Sequence, residues 1–293
     1  MKPPSFDYAV PASLTEAVSL LDDYQGEAKV LAGGQSLMPL LNMRLARPGL
    51  LVDLARLPGL DNIREVDGGV AIGAMTRQRA VERSELVSGR HPLLHAATLC
   101  IAHPQNRNQG TLGGSLAHAD PAADYPAVAL TLGAKFRVAG PGGERELAAA
   151  DFFVSYMTTA LEPAEILTEV WFPQLGERSG WAFKEITRRH GDFAMAGCAT
   201  VVTLDDGGRC SRARVVAFGV APTPLRVEAA EQAIVGQAPS DRVFEEAAAK
   251  TREAVDQALG DVHASAEYRR HLAGVLTERA LAEAARRAAD AGG

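Results

Sequence analysis

The feature that most constrains the fold is the run Lys29-Val30-Leu31 entering Ala32-Gly33-Gly34-Gln35-Ser36. A short apolar strand stops at paired glycines, and the stretch from Met38 to Leu45 then reads as a short helix interrupted near its start by Pro39. Upstream, Ser13-Leu14-Thr15-Glu16 has the form of a capping box. Leu14, Ala17, Val18, Leu20 and Leu21 follow at the spacing of one helix face, and Gly26 ends the helix. Leu50-Leu51-Val52-Asp53-Leu54 reads as a second buried strand, so the first fifty-odd residues predict a β-α-β-like unit.

The texture then changes. Val70–Gly73 reads as a strand, Thr76–Leu86 as a helix and Pro92–Ile101 as a more apolar helix. A polar loop from His103 to Gln109 leads into Thr111-Leu112-Gly113-Gly114-Ser115, and an Ala- and Leu-rich helix runs from Asp124 to Leu132. Lys135–Val138 and Ile166–Phe172 read as strands. Beyond the turn-rich stretch 173–180, Trp181–Ile186, Ala196–Leu204 and Arg212–Val220 predict an antiparallel meander, with Asp206-Gly207-Gly208 turning between the last two. Two helices, at about 226–236 and 267–290, are expected to close the chain.

Chemistry concentrates at the two glycine-rich turns. Glycines admit positive φ and let a ligand approach the main chain, and successive N–H groups can then converge on an anion. Either turn alone is more often a plain tight turn. Two of them, each with a hydroxyl residue, read as a cradle holding a pyrophosphate from two sides. Neither matches GxGxxG or GxxxxGK[ST], which argues against a dinucleotide site of the Rossmann type and against a P-loop. Asp120 and Asp124 could accept from ribose hydroxyls or a ring N–H, or could cap a helix, with Asp124 at a plausible N-cap. The seven histidines show no ligand spacing, so neither a metal centre nor a catalytic triad is expected. Substituting Gly33 or Gly114 by Val is expected to fill the phosphate approach while leaving the fold largely intact.

Composition removes other classes. A formal charge of -6 with no basic tract leaves no electrostatic footprint for nucleic acid. No stretch reaches the roughly 18 apolar residues of a membrane span, and the amino terminus lacks the apolar core of a secretory signal. Three scattered cysteines fit neither an iron–sulfur motif nor a disulfide framework, and a cytoplasmic location is expected.

Several segments together resemble the medium, FAD-binding subunit of the molybdenum hydroxylases, the family of aerobic carbon monoxide dehydrogenase and bacterial xanthine dehydrogenase-like enzymes. They are FDYAVPASLTEAVSLL, LAGGQSLMPLLNMRLARP, IAHPQNRNQGTLGGSLAHADPAADYPA, EILTEVWFP, FKEITRRHGDFAMAG and ASAEYRRHLAGVLTERAL, in the family's order and across nearly the whole chain. The resemblance implies an α+β fold: a two-part FAD-binding domain of the vanillyl-alcohol-oxidase (PCMH) type at 1–176, divided at about residue 56, then a smaller α+β domain at 177–293. It implies that Val30, Leu31, Ala32, Gly33, Gly34, Gln35, Ser36 and Leu37 wrap the pyrophosphate, with Thr111, Gly113, Gly114 and Ser115 on its other side. Asp124 and Lys184 match FAD-contacting positions, Ile101, Ile166 and Leu167 match apolar positions at the cofactor, and Phe193 falls beside the flavin ring. No catalytic acid, base or metal ligand is implied in this chain.

The implied partners are a large subunit carrying molybdenum on molybdopterin cytosine dinucleotide and a small subunit with two [2Fe–2S] clusters, assembled as a dimer of heterotrimers. Electrons would pass from the clusters through the flavin to NAD, a quinone or another acceptor. A stand-alone FAD oxidoreductase of the same fold and a flavin-less assembly module are the alternatives. Some carbon monoxide dehydrogenases have His where this chain has Gln35, so the resemblance does not point to carbon monoxide as substrate.

Overall fold

A computed structural model describes residues 1–258 and 260–291. The first unit contains β1 (Asp7–Ala9), α1 (Leu14–Asp23), β2 (Ala28–Leu31), α2 (Leu37–Asn42) and β3 (Leu50–Asp53). Its strands are all parallel, in the order β1-β3-β2. The central strand needs burial on both faces, which Leu50-Leu51-Val52 supplies. Ser13 caps α1 by accepting the Glu16 amide at 3.1 Å. The Glu16 carboxylate takes the Ala12 amide at 2.7 Å, one residue before the position a capping box uses. Ala17, Val18 and Leu21 then pack against Ala28, Leu50 and Val52.

The second unit is an antiparallel sheet, β4-β5-β10-β6-β7, with helices laid over it. The chain order is β4 (Ile63–Val66), β5 (Gly69–Gly73), α3 (Gln78–Arg83), α4 (Glu85–Arg90), α5 (Pro92–Cys100), α6 (Pro104–Arg107), α7 (Leu112–His118), α8 (Asp124–Leu132), β6 (Lys135–Gly140), β7 (Gly143–Ala148), α9 (Ala149–Phe152), the hairpin β8 (Phe153–Ser155) and β9 (Thr158–Thr159), and β10 (Ile166–Pro173). The single helix expected over 76–86 is two helices, because Ser84 leaves helical geometry and its hydroxyl accepts the Val87 amide to start α4. Leu93, Leu94 and Ala97 of α5 and Leu112 and Leu116 of α7 join Ile72, Phe136, Val170 and Phe172 of the sheet in one core.

The third unit is the expected meander, β11 (Ser179–Thr187), β12 (Ala194–Leu204), β13 (Cys210–Phe218) and β14 (Leu225–Arg226), antiparallel throughout. Three helices follow it, not two: α10 (Glu228–Ile234), α11 (Asp241–Ala254) and α12 (Ala266–Asp290). The unexpected α11 buries Val243, Phe244, Ala247, Ala248 and Thr251, a helical stripe. Both faces of this sheet are covered. Ala196, Cys198, Val202, Val215 and Ala217 face α12, while Ala199, Val201, Val216 and Phe218 join the core of the second unit. Double burial is why β12 reads as an almost continuous apolar run.

The long α12 rests directly on β11 at Gly180, where a Cβ would overlap the Ala284 carbonyl oxygen and the Ala288 amide nitrogen. Arg287 lies with its guanidinium carbon 3.8 Å from the Trp181 ring centroid and donates to the Trp181 carbonyl at 2.8 Å. Gly180→Ala is therefore expected to destabilise the fold by about 3 kcal/mol, because helix and strand must separate. Urea unfolding monitored by circular dichroism measures the loss; an unchanged midpoint would contradict this packing.

Candidate functional site

The first glycine-rich turn leaves the end of β2 and enters α2, as the sequence implies. Among the described residues, the amides of Gly33, Gly34, Gln35 and Ser36 donate to no protein acceptor. Four consecutive free donors in a half-buried turn are a receptor for an anion with several oxygens. Gly34 has φ of 70°, the left-handed region that favours glycine. With six residues, α2 adds little dipole.

The glycine at 33 has a different task. Its missing Cβ would overlap the Gln109 carbonyl oxygen and lie 2.8 Å from the Gly110 Cα. The turn of the first unit is thus pressed against the backbone of the second, not opened toward phosphate. Gln35 fastens the same seam: its Oε1 accepts from Asn106 Nδ2 at 3.2 Å, and its Nε2 donates to the Gly33 carbonyl at 3.1 Å. Arg77 adds a short hydrogen bond to the Gln109 carbonyl. Asn106 and Gln109 were not singled out from the sequence; only their place in the polar loop marks them.

The second turn is built differently from the first. It is the start of helix α7, with Thr111 as N-cap accepting the Gly114 amide at 3.0 Å. The amides of Leu112, Gly113 and Ser115 go to Thr76, Ala74 and Thr111 carbonyls at 3.0, 2.8 and 3.2 Å. The amides of residues 112–115 are therefore all engaged, and this part of the turn supplies a wall of small groups. A Cβ on Gly113 would lie 2.7 Å from the Ala74 carbonyl oxygen, and one on Gly114 would lie 3.2 Å from the Ala32 Cβ. The close approach of Gly114 to Ala32 shows that the two turns do meet.

Other expected residues divide sharply. Ile101 caps the carboxyl end of α5, and its carbonyl accepts from buried Arg107 at 2.7 Å. Ala102 follows with φ of 43°, and the loop rests against Gly191, whose Cβ would lie 2.6 Å from the Ala102 carbonyl oxygen. Phe193, on the loop that follows Gly191, is 63% exposed, unusual for so large an apolar group. Phe193 shares a cleft of about 690 Å³ with Asp120, Tyr156, Arg188 and Arg269. Asp120 accepts the Ala122 amide at 2.9 Å, so its carboxylate serves the local turn. Ile166 and Leu167 are core residues, the first in the first unit's core and the second in that of the second unit.

Lys184 lies on the face of β11 that packs against α12. It forms a short ion pair with Glu283 on α12, which Arg287 also contacts at 2.5 Å. Strand alternation sends its neighbour Glu185 to the opposite face, toward the second unit. Asp124 is the first residue of α8, not its N-cap, which is Ala123. It is 9% exposed, and its Oδ1 has no partner. Burial, then the nearby Glu185 carboxyl, holds the Asp124 carboxyl well above the usual range. The expected lysine thus faces α12, while the buried Asp124 carboxyl and Glu185 lie on the side of the second unit.

The free amides, the glycine at 34 and the orphaned buried carboxyl oxygen fit a pyrophosphate-containing cofactor with hydrogen-bonding ends. Residues 4–175 match the family described as FAD binding domain in molybdopterin dehydrogenase, and residues 181–284 match the CO dehydrogenase flavoprotein C-terminal domain. The chain is 46% identical to the 6-hydroxypseudooxynicotine dehydrogenase complex subunit alpha of Paenarthrobacter nicotinovorans, over 98% of this chain and 97% of that one. It is 40% identical to the carbon monoxide dehydrogenase medium chain of Hydrogenophaga pseudoflava, over 96% and 97% of the two chains. A solved carbon monoxide dehydrogenase from Hydrogenophaga pseudoflava superposes with a TM-score of 0.95 at 41% identity, covering 98% of this chain and 99% of that one. No helix among the described residues is long and apolar enough to cross a membrane. With its free-amide turn, its two-part fold and both family domains in order, the chain belongs to the FAD-binding medium subunits of the molybdenum hydroxylases.

Proposed function

We propose that this chain is the flavin relay of a heterotrimeric, cytoplasmic molybdenum hydroxylase that pairs into a dimer of heterotrimers. Its partners are a large subunit with molybdenum on molybdopterin cytosine dinucleotide and a small subunit with two [2Fe–2S] clusters, and its outlet is NAD, a quinone or another acceptor. Bound FAD supplies the redox chemistry, accepting electrons singly and releasing them singly or in pairs. In this reading the chain is organised as 1–56, 57–176 and 177–293. The amides of Gly33, Gly34, Gln35 and Ser36 bind the pyrophosphate, and Thr111, Gly113, Gly114 and Ser115 close its far side. Ile101 and Phe193 shelter the ring system from water, and Asp124 hydrogen-bonds the cofactor. Substrate choice lies in the large subunit.

The observation that carries this reading is the run of four unpartnered amides in the 33–36 turn, set against Gly114 of the second unit. The test is an absorption spectrum of the purified chain, with the released cofactor identified after denaturation, followed by affinity capture with co-expressed neighbouring subunits. A two-banded flavin spectrum, FAD as the released compound and capture of both an iron–sulfur and a molybdopterin chain are expected. A colourless chain that does not take up added FAD would refute the assignment. Turnover of an oxidisable substrate by the isolated chain would replace the relay with a self-sufficient oxidoreductase.

A further inference from the structure

Arg107 closes the short helix α6 and is 6% exposed, a charge that burial allows only with partners. Its Nε donates to the Glu82 carboxylate of α3 at 2.9 Å. Its Nη1 donates to the Ile101 carbonyl at 2.7 Å and reaches the Ala102 carbonyl at 3.4 Å. Glu82 is itself braced, since Arg79 contacts its other oxygen at 2.5 Å. One planar guanidinium thus joins α3 to the bend that links α5 and α6. In that bend Ile101 leaves helical geometry, and Ala102 has φ of 43°, a backbone state that an alanine keeps only when its surroundings impose it. Arg107 is one of those surroundings. The backbone of Gly191 is another, because a Cβ there would lie 2.6 Å from the Ala102 carbonyl oxygen and 2.9 Å from His103 Cε1.

We infer that Arg107, braced by Glu82, is a positioning residue for the flavin ring: it holds the 101–102 bend, and through it the 188–193 loop, in the form that receives the ring. The inference rests on the reading that Ile101 and Phe193 shelter the ring, and deepens it. The geometry suits arginine. Its rigid fork presents one N–H to the carboxylate and another to the carbonyls in a single plane, whereas a lysine ammonium is a point charge on a flexible stem and fixes no plane. The pyrophosphate end has ties of its own. Arg77 bonds the Gln109 carbonyl, Asn106 donates to Gln35 at 3.2 Å, and the Gln78 amide donates to the Gly110 carbonyl at 2.9 Å. None of these passes through the Arg107 side chain, so Arg107 acts on the ring half of the ligand.

The test compares the full chain's affinity for FAD with that for ADP, which has the adenine and pyrophosphate but no ring. The proteins are wild type, Arg107→Met, Arg107→Lys and the double variant Glu82→Leu/Arg107→Met. The double variant removes both charges together, so Glu82 is not left buried without Arg107, and circular dichroism checks its fold. In Arg107→Met and the double variant ADP binding should be unchanged, while FAD affinity falls about tenfold or more, the scale of one charged hydrogen bond. Bound flavin should also become more accessible to iodide quenching, and Arg107→Lys should restore only part of both properties. Equal weakening of ADP and FAD, unchanged FAD affinity and quenching in the double variant, or full rescue by lysine would overturn the role of Arg107. A wild-type chain that takes up no FAD would instead sink the flavin reading itself, so the two failures are told apart.

Discussion

Gly33→Val is expected to give a chain that neither retains FAD nor keeps its full stability, and both losses have one cause. The added Cβ points at the backbone of Gln109 and Gly110, not at solvent or at a ligand. Backbone cannot rotate aside, so the first and second units must separate, at a cost of about 3 kcal/mol. This revises the expectation that such a chain keeps its fold while a side chain blocks the phosphate. Gly34→Ala is the informative companion. Its Cβ meets only flexible side chains, Met38 Cγ at 3.2 Å and Leu31 Cδ1 at 3.4 Å, but φ is 70°. It should therefore fold with a loss of only about 1–2 kcal/mol from the left-handed backbone while binding FAD more weakly. Flavin absorbance per chain and thermal melting of both variants measure the difference. Equal melting temperatures with equal loss of flavin would show that Gly33 does not hold the seam.

On the acid side, a loss of stability is expected to centre on His91. The ring is 1% exposed, neither nitrogen has a hydrogen-bond partner, and Phe172 lies 6.1 Å away between ring centroids. Burial, assisted by the neighbouring Arg90 charge, lowers its pKa from 6.5 to about 4. The unfolded chain therefore binds this proton more readily than the folded one. The contribution is fully present above about pH 6.5 and is lost as the pH falls toward 4. Across that window it amounts to about 3 kcal/mol, at about 1.4 kcal/mol per pKa unit. His91→Leu should flatten this acid limb and raise stability at pH 5, since it also removes two unsatisfied buried nitrogens. Urea titrations between pH 4 and 8 follow the effect; a wild-type curve matched by the variant would place the acid sensitivity elsewhere.

What the sequence made legible was local. The Ser13–Glu16 cap, the strand that stops at Gly33-Gly34 and the meander around Asp206-Gly207-Gly208 all have their causes within a few residues. What it hid depended on partners far along the chain. The amides of Thr111–Ser115 look available until Ala74 and Thr76 are seen to take two of them. Lys184 and Glu185 are adjacent, and alternation says only that they face opposite ways. Because both faces of β11 are covered, no polar–apolar rhythm reveals which faces the second unit. The omission of α11 is of another kind. Ser240-Asp241 and the spacing of Val243, Phe244, Ala247 and Thr251 carry a plain helical signal within the segment itself.

The seam at Gly33, Gln35 and Asn106 gives the cofactor a mechanical part in this chain. In the proposed function, a ligand held by the 33–36 amides of one unit and flanked by Gly114 of the next behaves as an internal cross-link. Whatever free energy it gains on binding is gained only by the assembled arrangement, so it stabilises the first two units together. At a ligand concentration a hundredfold above Kd that amounts to about 2.7 kcal/mol. The flavin is then a keystone as well as a redox centre, and a subunit that loses it loosens where its own pieces join.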